Sequence, residues 1–194
     1  MTLTWSLAAA YIALTGGKAW LAARVARREP VRAPSTGAGV AVAQAILSGD
    51  PRLTDVLADN VRVLPAAHFL WLVDTDDPAG EGTCRTVAAT APGTRIDIVV
   101  LPPAPAGTNP KLWKLEAARA ATDAPAFLVL DDDTRMPAAT LAALTAALER
   151  HDLATSLPVY RAGAGWPSRL LAQFVANNAA TTYLPLVPWL APIT

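Results

Sequence analysis

Apolar and polar positions change rhythm several times along the chain. Residues 5–26 are apolar and Ala-rich, interrupted by Gly16, Gly17 and Lys18. From residue 40 onward, short apolar runs alternate with segments of helical periodicity. Residues 40–46 read as a buried strand. Ser48-Gly49-Asp50-Pro51 reads as a turn, with Asp50 placed to cap a helix and Pro51 at its first position. Leu53, Val56, Leu57 and Val61 then recur at helical spacing. Further strands are predicted over 69–73, 95–101 and 126–130, and further helices over 82–90, 111–121 and 137–150. Residues 102–109 form a Pro-rich loop. Strands alternating with helices imply an α/β fold, a mostly parallel sheet with helices on both faces. In such sheets ligands sit outside the carboxyl ends of the strands.

Beyond His151 the rhythm weakens. A fifth strand is predicted over 154–159. Residues 166–194 are apolar but carry Pro185, Pro188 and Pro192, too interrupted for a simple spanning helix. Two readings stay open for this tail. One is a helix lying on a membrane surface, with Trp166, Tyr183 and Trp189 near the headgroups; the other is a core helix.

Residues 1–28 are expected to form a membrane anchor helix, because about 20 apolar residues span a bilayer core and Lys18 can snorkel from near one end. Arg24, Arg27, Arg28 and Arg32 follow the apolar stretch, which predicts a single N-terminal anchor in the cell membrane with the following domain cytoplasmic. A cleaved signal peptide carries its charges before the apolar stretch, which disfavours that reading. An amphipathic surface helix is the alternative. Residues 29–39, with Pro30, Pro34, Ser35, Gly37 and Gly39, read as a linker. A globular domain is expected over 40–194.

Composition narrows the chemistry. The 194 residues carry 16 Lys plus Arg against 16 Asp plus Glu, so there is no basic footprint for nucleic acid. A single cysteine, Cys84, excludes an internal disulfide and a Cys-based zinc site. With only His68 and His151 besides, a bound metal would take oxygen ligands.

Those oxygens fall at two predicted strand ends: Asp74, Asp76 and Asp77, then Asp131, Asp132 and Asp133. Adjacent carboxylates repel one another and need exposure or a cation. Alternation along an extended strand lets Asp131 and Asp133 face the same way, as a pair able to hold Mg2+ or Mn2+ beside substrate phosphates. A solvated acidic loop, with Asp133 or Thr134 capping the next helix, is the competing reading. Phosphoryl transfer on an aspartyl nucleophile is disfavoured, since Arg135 and Pro78 stand where that pattern wants Thr or Val. The common glycine-rich phosphate loops are absent.

Four segments together resemble family-2-like glycosyltransferases, in the branch of ceramide glucosyltransferase and its hopanoid-associated relatives. They are the run from Gln44 through Ser48-Gly49-Asp50-Pro51 to Leu53, Asp74-Thr75-Asp76-Asp77-Pro78-Ala79, Thr108-Asn109-Pro110-Lys111-Leu112, and Leu130-Asp131-Asp132-Asp133-Thr134-Arg135. Leu157-Pro158 and the aromatic stretch after it are similar to the segment that follows in the family. The resemblance implies a GT-A-type, Rossmann-like domain. It also implies a hexosyltransferase that moves a sugar from a nucleotide-diphosphate sugar, of the UDP type, to a lipid hydroxyl at the membrane, metal-assisted and inverting. It places Asp50, Asp74, Asp76, Lys111 and Asp131 on the nucleotide sugar and Asp131 and Asp133 on the metal. The family's later acidic base and its Arg-Trp segment have no counterpart after Asp152, so the chain is expected to stop before the catalytic base. A nucleotide-binding fragment without turnover is therefore a second expectation. A membrane-associated structural protein with a merely solvated acidic rim is a third.

Overall fold

The computed structural model describes residues 2–27 and 33–187. Arg28, Arg32, Glu29 and Pro30 of the expected Arg cluster and linker, and Pro188, Trp189 and Pro192 of the tail, lie outside the described residues. The chain divides into two compact units, Val31–Ala146 and Met1–Pro30 with Ala147–Thr194.

The 31–146 unit carries a four-stranded sheet in the order β3-β2-β1-β4, with β1 Val40–Ala45, β2 His68–Asp74, β3 Arg95–Leu101 and β4 Ala126–Val129. Every pairing is parallel. Helices α2 Leu53–Val63, α3 Pro78–Ala89, α4 Pro110–Ala120 and α5 Ala138–Leu148 connect and follow the strands. The α/β expectation therefore holds, with boundaries shifted by a few residues. Side chains alternate along each strand and sort into two layers. Val40, Val42, Phe69, Trp71 and Val73 pack with Leu53, Leu57 and Val61 of α2, Cys84 and Val87 of α3 and Leu141 of α5. Ala41, Ala43, Leu70 and Leu72 pack with Ala118 of α4 on the opposite face. Right-handed crossovers explain the division: the order runs outward from β1 to β3, then reverses to reach β4, so the connection through α4 must cover the other face.

Helix starts follow local chemistry. Asn109 caps α4 by accepting from the backbone N–H groups of Lys111 and Leu112, with Pro110 at the first position. Asp77 caps α3 four residues earlier than the periodicity predicts, because Asp77-Pro78 is a cap followed by a favoured first residue. Asp50 does not cap α2. The helix begins at Leu53, and Asp50 instead accepts from Arg52 N at 2.8 Å in a turn of its own. Residues 35–37 are tied to the unit: Ser35 N donates to Ala138 O, and Ala66 N to Thr36 O. A Cβ on Gly37, whose φ is +86°, would meet the Ala67 Cβ at 2.7 Å, so this close approach admits only glycine.

The other unit holds α1 Thr2–Ala26, α6 Trp166–Tyr183 and a 3-10 turn, Leu184–Leu186. The expected membrane anchor is not found: among the described residues no helix is long and apolar enough to cross a membrane. Helix α1 has the length, but alanines offer little apolar area, and Thr4, Thr15, Gly16, Gly17 and Lys18 dilute what remains. The cell-membrane placement by a single N-terminal anchor, with its cytoplasmic domain, falls with it. Trp5, Tyr11, Ile12 and Trp20 are exposed on α1, and the Arg24 guanidinium lies 5.6 Å from the Trp20 ring centroid. The fifth strand expected over 154–159 does not form. Pro158 lacks the N–H a ladder needs, and Val159 and Tyr160 are exposed. The tail that the sequence left between two readings is helical to Tyr183.

Candidate functional site

Strand order reverses between β1 and β4, which stay paired through Ala43 and Val129, and the rim beyond their carboxyl ends is where ligands of open parallel sheets bind. The residues after β1 and after β4 form its two lips. They are linked from below by Gln44, which is fully buried. Its amide N donates to the Asp131 carbonyl at 3.4 Å, and its amide O accepts from Trp71 Nε1 at 3.1 Å.

The β1 lip, residues 46–48, is held by side chains from three different elements. Lys114 of α4 donates to the Ile46 carbonyl at 3.3 Å. Leu47 N donates to Asp132 at 2.8 Å, joining the two lips. Ser48 N donates to Asp77 at 2.8 Å. Lys114, whose side chain is 6% exposed, also forms an ion pair with Asp74 at 2.7 Å. Burial pushes the Asp77 carboxyl up, but the Ser48 hydroxyl, the N–H groups of Gly80 and Ser48 and the Lys114 charge outweigh it, and the net shift is downward. Asp132 shifts the other way: burial raises it, and the neighbouring Asp133 and Asp131 charges add to burial against the Leu47 N–H. The Cys84 thiol is pushed up to about 12 by burial and by Asp77, Asp132 and Glu81, so it is no nucleophile.

The β4 lip is a turn. Strand pairing ends with Leu130 N on the Ala43 carbonyl, and Thr134 N donates back to the Asp131 carbonyl at 3.1 Å. The sequence expected strand alternation to align Asp131 with Asp133; β4 ends at Val129 and residues 132–133 lie in a turn, so both carboxylates stand beyond the strand. Both are exposed. The Lys111 ammonium pairs with Asp131, and Asp133 accepts from the Thr134 hydroxyl at 3.1 Å. The turn is braced against α2: Asn60 donates to the Thr134 carbonyl at 2.9 Å and accepts from Met136 N at 2.9 Å. Arg135 pairs with Asp59 at 2.6 Å. Hydrogen bonds from Arg62 and Arg135 hold the Asp59 carboxyl below its ordinary value.

Of the residues singled out from sequence, Asp74, Lys111, Asp131 and Asp133 lie at this rim. Asp76 is exposed and makes no ion pair among the described residues, and Asp50 pairs only with its neighbour Arg52, at 3.7 Å. Sequence reasoning missed Gln44, Asp77, Lys114 and Asp132 as the groups that hold the rim in shape. A signal for Lys114 was present: Lys114 and Ala118 are four apart on the face that α4 buries. A polar residue on that stripe needs a partner.

The donor set suits a hard cation. Asp131 and Asp133 offer exposed carboxylate oxygens, and Mg2+ or Mn2+ is commonly held by one or two carboxylates together with substrate phosphates. Among the described residues no group of three His, Cys, Asp or Glu side chains converges as a self-sufficient cage. Such a cation would complete its shell with phosphate and water.

Asp77 makes a direct stability prediction. Asp77→Ala removes the α3 cap and the hold on Ser48, and we expect it to cost about 1–2 kcal/mol at neutral pH. Because the folded carboxyl sits below its ordinary value of 3.8, this contribution is complete above that value. It is lost as pH falls through the lower folded value. The melting-temperature gap between the parent and the variant should therefore narrow from pH 7 to pH 3; a constant gap would contradict the assignment.

Carboxylates and lysines thus meet at the carboxyl ends of a parallel sheet, the edge at which open α/β domains bind their ligands. The profile of glycosyl transferase family 21 matches residues 2–185, and the chain belongs to that family. No curated protein matches the chain significantly. Among solved structures it is similar to a mannosyltransferase from Pyrobaculum calidifontis in complex with GDP-mannose and Mn2+, at 19% identity and a TM-score of 0.47. That match covers 70% of this chain and 40% of the other, so this chain spans about two fifths of that protein's length.

Proposed function

We propose that the 31–146 unit binds the nucleotide-diphosphate sugar of a metal-assisted, inverting transfer to a lipid hydroxyl, as in the ceramide glucosyltransferase branch that the sequence resembles. The observation that carries this reading is the pairing of Lys111 with Asp131, two residues before the exposed Asp133, at the β1–β4 switch point in a chain of family 21. Asp131 and Asp133 would hold Mg2+ or Mn2+ together with diphosphate oxygens. The bound cation would offset the charge that develops on the departing diphosphate. Lys111 is a half-exposed point charge on a flexible stem, able to turn from Asp131 to a phosphate. Asp74, at the exit of β2, is assigned to the nucleoside side, with UDP as the nucleotide.

An inverting transfer also needs a base to take the acceptor hydroxyl's proton. Among the described residues, every rim carboxylate except Asp133 and Asp76 is already engaged by an N–H group or an ammonium. This favours, as a second reading, a unit that binds donor without turning it over.

Both readings require nucleotide binding, and melting curves test it. UDP with Mn2+ at about 100 times its Kd should stabilise the protein by about 2.7 kcal/mol, since the ligand binds only the folded state. EDTA should abolish the shift. If neither UDP nor GDP raised the melting temperature in the presence of Mn2+, the proposal would be wrong. A release assay for free sugar and transferred product then separates turnover from binding alone.

A further inference from the structure

We propose that Lys114 is a positioning residue for the nucleotide: its ammonium locks the exits of β1 and β2 together and holds residues 46–48 in the shape that donor binding requires. The inference rests on the donor-site reading above and extends it to a residue that does not itself touch the donor.

The case begins with the cost of putting an ammonium where it is. A lysine with 6% of its side chain exposed has given up its hydration, and only close partners offset that. An ammonium has three donors. Lys114 uses them on the Asp74 carboxylate at 2.7 Å and the Ile46 carbonyl at 3.3 Å, and it pulls on the Asp77 carboxylate through space. Ile46 is the last residue joined to the sheet on the β1 side, through its N–H on the Leu72 carbonyl. Asp74 closes β2. One cation thus fastens two adjacent strand exits at the height where the chain leaves the sheet.

The next two residues are held in the same manner, Leu47 by Asp132 and Ser48 by Asp77. Three successive residues therefore have a backbone group bonded to a side chain rather than to secondary structure. Lys114 holds the first of them and also neutralises Asp74. Helix α4 presents Lys111 and Lys114 one turn apart, so the helix that offers one ammonium at the rim uses the other beneath it.

A purely structural role gives a different expectation. A buried ion pair is often replaceable without loss. Substitution would then change overall stability and leave the folded loop as it was.

The test uses the full chain with Lys114→Met and Lys114→Arg. The readouts are UDP affinity in the presence of Mn2+, by calorimetry, and amide hydrogen exchange resolved at Leu47 and Ser48. Lys114→Met should weaken UDP binding at least tenfold and speed exchange at those two amides at least tenfold, while the Leu70 and Leu72 amides are unchanged. Lys114→Arg, which keeps the charge, should bind UDP within threefold of the parent. UDP affinity within twofold in folded Lys114→Met would overturn the proposal, as would a uniform rise in exchange across Leu70 and Leu72.

If Lys114→Met does not fold, the same readouts compare Asp74→Asn with the Asp74→Asn, Lys114→Met double variant. There the lone buried charge is gone and the Ile46 carbonyl is the partner still lost. The same tenfold differences are expected, and their absence overturns the proposal. Failure of the parent chain to bind UDP or GDP would sink the donor-site reading. UDP binding that is indifferent to Lys114 would sink only this one.

Discussion

Asp131→Asn is expected to lower the affinity for UDP with Mn2+ by about 100-fold or more, on the scale of losing a charge-assisted contact in a metal site. The substitution is nearly isosteric, so its effect is electrostatic. It removes the negative charge that would meet the cation and leaves Lys111 without its partner. It does not touch the backbone carbonyl of Asp131, which takes the Gln44 amide and the Thr134 N–H. The side chain is 57% exposed, so folding stability should stay within about 0.5 kcal/mol of the parent. Calorimetric titration beside a melting curve separates the two effects. Asp133→Asn is expected to act in the same direction. Unchanged UDP affinity in both variants, with Mn2+ still required, would move the cation elsewhere.

Trp71→Ala should be the most damaging single change to the fold, at about 3–5 kcal/mol. Trp71 is fully buried in the middle of β2 and packs its ring against Phe69 at 6.1 Å between centroids. Domains of this size are stable by only about 5–15 kcal/mol, so the variant should unfold at a much lower urea concentration or fail to accumulate. Trp71→Phe keeps most of the apolar area and loses the N–H that Gln44 accepts, so its cost should lie near about 1–3 kcal/mol. Gln44 also bonds the Asp131 carbonyl, so Trp71→Phe should weaken UDP binding as well. A fall in stability without any change in UDP affinity would show that the buried amide does not transmit to the rim.

How far the sequence anticipates this arrangement depends on whether a signal is local. Strands β1 to β4 and helices α2 to α5 are legible because apolar spacing and Pro or Asn caps are properties of a few neighbouring residues. The acidic ends of β2 and β4 are legible for the same reason. The roles within them are not. Asp131, Asp132 and Asp133 look alike in sequence, yet one meets a lysine of α4, one meets a backbone N–H of the β1 exit, and one bonds its own neighbour. The first two partners lie 20 and 85 residues away and become neighbours only through strand order. Lys114 shows in sequence only as a polar residue on the stripe that α4 buries; its partners, Asp74 and the Ile46 carbonyl, come from the exits of β2 and β1. Helix α1 misled in the opposite direction: its run of alanines has the length of a membrane span without the apolar area.

Alanines carry a different meaning in the sheet. Ala41 and Ala43 of β1 meet Ala118 of α4 in the second layer, all three fully buried. Side chains this short let a helix approach the sheet closely, and their width sets the gauge between the two layers. Lys111 and Lys114 ride on that helix, so the reach of both ammonium groups toward Asp131 and Asp74 is measured out by three methyl groups some way below them. A bulkier residue at any of the three would lift the helix and carry both cations away from their carboxylates, without altering a single charged residue.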